Sequence, residues 1–123
     1  MDAEPAILGI DHVGLHVDDV ERSLRFYRDL LGLQPIHRPD LGFPGAWLRI
    51  GAAQELHLIG KNSRPELPPR ERHWTVEVRG LSAWHARLHA AGTELHGPVL
   101  RPDGATQLFA RDPDGHWLEL LER

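Results

Sequence analysis

One pattern, written twice, restricts the fold of this chain more than any other feature. A histidine opens an alternating stretch, a helix-like stretch follows, a glycine closes it, and three short alternating stretches come after. His12 leads to Gly32 in the first copy and His73 leads to Gly92 in the second. Repetition on this scale predicts two similar modules that assemble one structure. A lone module of about 50 residues would bury too little surface to be stable. The whole chain of 123 residues suffices for a single domain. Module 1 is expected over about residues 7–60, a polar, proline-rich linker over 61–72, and module 2 over 73–123.

Local signals place the elements. Alternation predicts an opening strand over about 8–17. Asp18 followed by Glu21 has capping-box spacing, and Val20, Leu24, Tyr27 and Leu31 then form one helical face that ends at Gly32. Short strands are expected at 33–37, 46–50 and 54–59, with the loop "PDLGFPG" between the first two. In the second copy "HWTVEV" reads as a strand. Leu81, Trp84, Leu88 and Ala91 mark a helical face ended by Gly92, and strands follow at 94–100, 106–111 and 116–122. The stretches "RPDG" and "DPDG" punctuate them as turns. Each module is therefore β-α-β-β-β, and the fold class is α+β.

A helix covers the apolar face of its sheet. Val13, Leu15 and Val17 go to the helix side of the first strand, which leaves His12, Gly14 and His16 opposite. The same rule leaves His73, Thr75 and Glu77 on the other face of "HWTVEV", Glu55, His57 and Ile59 on that of "QELHLIG", and Trp117, Glu119 and Leu121 on that of "HWLELLE". Were the modules to curve toward each other, His12, His57, His73 and Glu119 would converge. Three imidazoles and a carboxylate make a nitrogen and oxygen set suited to a divalent transition metal. Glu55 competes with His57 for the fourth place, and Gly14 leaves room beside His12. His16 is expected to line the pocket, and Arg49, sharing a face with Trp47, is within reach of an anionic substrate. His85, His89, His96 and His116 read as surface or turn residues, His37 as a strand cap, and Trp74 and Trp84 as core.

Composition narrows the function classes. The net charge is −4 and no Lys/Arg stripe occurs, which excludes a nucleic-acid footprint. No apolar run approaches the length of a membrane span. With no cysteine, any metal must be held by nitrogen and oxygen. The opening "MDAEPAILG" lacks a secretory pattern, so a cytoplasmic location is expected.

The stretches "DHVGLHVDDVERSLRFYRDLLGL", "RHWTVEV", "GLSAWHARLHAAGTEL" and "RDPDGHWLELLE" resemble the vicinal oxygen chelate superfamily, the glyoxalase, bleomycin-resistance and dioxygenase group. The resemblance implies two βαβββ modules forming a cup-shaped mixed sheet, with metal ligands at His12, His57, His73 and Glu119. It implies a divalent ion (Zn, Ni, Co, Mn or Fe(II)), a small oxygenated metabolite as substrate, and a homodimer. Lyase, isomerase or ring-cleaving dioxygenase chemistry follows, with Glu119 or Glu55 moving the proton and His16, Trp47 and Arg49 contacting substrate. Glyoxalase I has a Glu where this chain has His57 and an Arg where it has His16, which sets the chain apart from glutathione chemistry. A metal-free protein that binds a small molecule, like the bleomycin-resistance members, is the alternative. The modules can pair within one chain or exchange between two.

Overall fold

The computed structural model describes residues 4–61 and 68–123, so half of the expected linker, residues 62–67, lies outside the described residues. In the first module β1 (His12–Val17) leads into α1 (Val20–Leu24), which runs on as a π-helical segment over Arg25–Leu30. Strands β2 (Gln34–Ile36), β3 (Gly45–Ile50) and β4 (Gln54–Gly60) follow. The second module repeats the order with β5 (His73–Glu77), α2 (Leu81–Ala90), β6 (Leu95–Leu100), β7 (Thr106–Arg111) and β8 (Trp117–Glu122). The sheets have the same topology, β1-β4-β3-β2 and β5-β8-β7-β6. In each, the first strand runs parallel to the last, and the other neighbours are antiparallel. The chain is thus the α+β pair of βαβββ modules that its repeat implied. Among the described residues no helix is long and apolar enough to cross a membrane.

Three local expectations are corrected. The opening strand starts at His12 rather than near residue 8, because its partner runs out: His12 pairs with Glu55, and the Glu55 amide donates to the Asp11 carbonyl at 3.1 Å. The helix cap is Asp19 rather than Asp18; its side chain accepts from the Arg22 amide at 3.2 Å. The first helix also changes pitch. The Leu31 amide reaches back five residues to the Phe26 carbonyl at 3.0 Å. This wider turn lets the adjacent residues Phe26 and Tyr27 both face inward, and both are buried.

The two modules share one core. Leu15, Val17, Leu56 and Leu58 from the first sheet and Leu108, Ala110, Leu118 and Leu120 from the second belong to the same buried cluster. Leu24 and Tyr27, and Leu81 and Leu88, join it from the two helices. The faces assigned to the helix side by alternation are therefore the buried ones. Strand β8 departs from this scheme, because Trp117, Glu119 and Leu121 on its other face are buried too. Phe109 shelters that face, and Arg111 lies over the Trp117 ring at 4.4 Å.

A polar seam locks the modules together. Asp114 accepts from the Asp18 amide at 2.9 Å, from Arg22 Nη2 at 2.9 Å and from Ser23 Oγ at 3.3 Å. The Tyr27 hydroxyl donates to Asp112 Oδ2 at 2.6 Å. His116, expected as an ordinary turn residue, donates from Nε2 to the His16 carbonyl at 2.8 Å. Each of these bonds spans more than 80 residues of chain.

The buried Tyr27 makes stability depend on alkaline pH. Burial, and then the neighbouring Asp112 carboxylate, push its hydroxyl well above the ordinary value of 10.0. The native state thus keeps its proton at a pH where the unfolded chain has lost it. Stability is intact below pH 10 and falls as pH rises, by about 1.4 kcal/mol per unit until the native group itself ionises. Tyr27 is the sole tyrosine, so tyrosinate absorbance reads it directly. Wild-type absorbance should rise only together with unfolding, and Tyr27→Phe should lose this alkaline slope. A tyrosine that ionises freely in the folded protein would contradict the assignment.

Candidate functional site

The open face of the first sheet carries two ordered rows of side chains. Strand register aligns His12, Glu55, Arg49 and Gln34 in one row, and Gly14, His57, Trp47 and Ile36 in the next. The rings form a continuous stack. His12 and His57 have centroids 3.9 Å apart at 14°, and His57 and Trp47 have centroids 4.1 Å apart at 4°. His12 donates from Nδ1 to Asp11 Oδ2 at 2.8 Å, which leaves Nε2 free to ligate. A Cβ added at Gly14 would meet only the Ile59 Cδ1 atom, at 3.5 Å, so the space beside His12 is open as expected.

His57 is held differently. Its Nε2 donates to Glu55 Oε1 at 2.9 Å, and its ring lies face to face with His12. Imidazole lone pairs lie in the ring plane, so two parallel rings direct them side by side rather than at one point. This geometry gives His57 to Glu55 and to the ring stack. The competition between Glu55 and His57 for one ligand position becomes a bonded pair.

The second sheet carries the other half of the expected set. His73 donates from Nδ1 to the Arg70 carbonyl at 2.8 Å, the arrangement that orients a ligating imidazole through its far nitrogen. Its Nε2 stands 3.1 Å from Glu119 Oε1. Two ligands each about 2.1 Å from a shared ion are separated by such a distance. Glu119 is buried, and Thr75 Oγ1 and Gln107 Nε2 each donate to one of its oxygens at 2.8 Å. Both oxygens are thus engaged, which makes Glu119 a positioned carboxylate rather than a mobile base. The Phe109 ring meets His73 edge-on at 5.1 Å. Gln107 was not singled out in the sequence. The cross-strand pairing of Phe109 with Glu119 puts it on the Glu119 face, and that pairing is a nonlocal fact.

Within one chain the two halves remain apart. Val13 and Leu15, on the side of β1 away from His12, wall the groove that also holds His73 and Trp117. Strand β1 therefore turns its apolar side to the second module and its histidine side outward. Among the described residues no group of three or more His, Asp or Glu side chains is placed to hold an ion. The four expected ligands appear as two pairs, His12 with His57 and His73 with Glu119. His16 is exposed on the outward face, and Trp47 and Arg49 are half-buried there.

A groove of about 680 Å3 lies away from these residues, between the first helix and the 91–94 and 111–113 segments. Its Arg22 and Arg111 are already paired with Asp114 and Glu94. It is the seam between modules rather than a ligand site.

Comparison with known proteins agrees with the fold. "Glyoxylase I 4" of Arabidopsis thaliana is 29% identical over 123 residues, covering 93% of this chain and 70% of that protein. A metallothiol transferase, FosB, of Shouchella clausii is 28% identical over 118 residues, covering 91% of this chain and 78% of that one. A solved glyoxalase family protein from Bacillus anthracis superposes with a TM-score of 0.84 at 26% identity, over 98% of this chain and 99% of that chain. The model of the Glyoxalase/Bleomycin resistance protein/Dioxygenase superfamily matches residues 9–120, and with the paired βαβββ modules this places the chain in that superfamily.

Proposed function

We propose that this chain is a divalent-metal-dependent enzyme acting on a small oxygenated metabolite, with a site assembled from two copies. His73 and Glu119 of one copy and His12 of a second would hold the ion. The observation that carries this reading is the His73–Glu119 pair: a buried carboxylate fixed by two donors stands 3.1 Å from an imidazole nitrogen oriented by a backbone carbonyl. Nitrogen and carboxylate donors suit Zn, Ni, Co, Mn or Fe(II). The N-terminal segment supports a second copy, since Ile7, Leu8 and Ile10 are 96%, 96% and 75% exposed just ahead of His12. The relatives named for glyoxylase I and for metallothiol transfer are consistent with small-molecule chemistry.

Each residue then has a task. A divalent ion held by His12, His73 and Glu119 would supply Lewis-acid chemistry, drawing charge from adjacent substrate oxygens. Asp11 aims His12, and the Arg70 carbonyl aims His73. Thr75 and Gln107 keep the Glu119 oxygens in place. Trp47 and His57 wall the hollow against water, with His16 at its edge. Glu55, the carboxylate left free of the ion, accepts a proton beside the substrate carbonyl, and His57 steadies it. This is proton-transfer chemistry of the lyase or isomerase type.

Metal analysis of protein purified with added divalent ions tests the reading. One ion per chain is expected, lost in His12→Ala, His73→Ala and Glu119→Ala. Mixing His12→Ala chains with Glu119→Ala chains should restore one ion per heterodimer, because one of its two shared sites is then intact, or about one ion per four chains in an equimolar mixture that exchanges at random. Dimers that form from the mixture yet stay empty would defeat the shared site. A wild type without any divalent ion would favour the metal-free binding protein instead.

A further inference from the structure

We propose that Arg49 receives the carboxylate of the substrate, so that the site takes small acids bearing adjacent oxygens at one end and a carboxylate at the other. The inference rests on the ion-binding reading above, because His12 sets where the oxygens lie.

Arg49 is half-buried in β3, in the row His12–Glu55–Arg49–Gln34. Strand spacing of about 4.8 Å puts its Cα roughly 10 Å from that of His12, on the same face. The other half-buried arginines among the described residues have partners: Arg22 has Asp114, Arg28 has Asp29, Arg38 has the Phe43 carbonyl, Arg101 has Asp103 and Arg111 has Glu94, whereas Arg25, Arg72 and Arg79, which make no ion pair, are exposed. Among the described residues no carboxylate pairs with Arg49. Glu55 stands directly across from it in register and makes no ion pair with it; its Oε1 accepts from His57 Nε2 at 2.9 Å. A half-buried guanidinium that makes no ion pair retains its forked donors for an outside acceptor. Carboxylate fits that fork in a bidentate way. The Trp47–His57–His12 ring stack lies on the same face, beside the row.

Hydroxamates separate the two ends of the site, since their two oxygens chelate a metal and their tails can be varied. Calorimetric binding of acetohydroxamate, succinic monohydroxamate and glutaric monohydroxamate to the metal-loaded protein is the experiment. The acidic tails should tighten binding about tenfold or more over acetohydroxamate, the gain of a charge-assisted pair. Arg49→Gln should abolish that gain, and Arg49→Lys should keep part of it, while both variants bind acetohydroxamate as the wild type does. Equal affinity of all three chelators for the wild type would overturn the role of Arg49 and leave the ion site standing. So would a tail effect that survives Arg49→Gln. Failure of every chelator, acetohydroxamate included, would overturn the ion site and the inference with it.

Discussion

Leu118→Ala is expected to cost about 4 kcal/mol of unfolding free energy, measured by chemical denaturation, near the upper end for a leucine truncation. Leu118 is 1% exposed on β8, the strand with neighbours on both sides in its sheet. The loss depends on how far the surroundings can close around the space left behind. Here they cannot close far. Leu118 already borders a cavity of about 150 Å3 lined by Trp74 and Trp84, whose stiff rings cannot refill it. The truncation would merge with that void instead of collapsing. Val99→Ala, at a side chain 44% exposed, serves as the control and should change stability by less than about 0.5 kcal/mol. A Leu118→Ala loss under about 1 kcal/mol would show that the shared core is soft.

Asp114→Ala should be nearly as damaging, at about 3 kcal/mol, because it frees three donors at once. They do not count equally. The Arg22 guanidinium is more than a third exposed and can turn to water, so its share is small. Ser23 Oγ and the Asp18 amide are the costly ones, since Ser23 is fully buried and the amide begins the turn into the helix. Asp114→Asn keeps an acceptor for the amide and should lose about half as much. The same change should also loosen the seam between modules, detectable as faster proteolysis near residues 18–23. Asp114→Ala with unchanged stability would mean that the shared core alone holds the modules together.

Much of the site could be read from the chain because its determinants are short-range. Alternation has a period of two residues, so the faces of "HVGLHV", "QELHLIG" and "WLELL" follow directly from which side chains are apolar. That placed His12, Glu55, His57, His73 and Glu119 on open faces before any contact was known. The pitch change at Arg25–Leu30 was not legible, since Val20, Leu24, Tyr27 and Leu31 also suit an ordinary helix. The wider turn accompanies a bond to a distant partner, from the Tyr27 hydroxyl to Asp112, which no local pattern announces. The Gln107–Glu119 bond was hidden for the same reason, as was the His57–Glu55 bond.

The amino-acid order by itself determined the duplicated βαβββ plan, the buried face of each sheet and the pool of side chains with metal chemistry. These follow from periodicity and composition, which act over a few residues. Only the tertiary structure decided how that pool divides, because the division depends on how one module docks on the other. Docking is set by Asp112, Asp114 and His116 reaching Tyr27, Ser23 and His16 across the chain. With those bonds the two apolar faces form one core while the His12 face of the first sheet stays outward, and no local pattern encodes that choice.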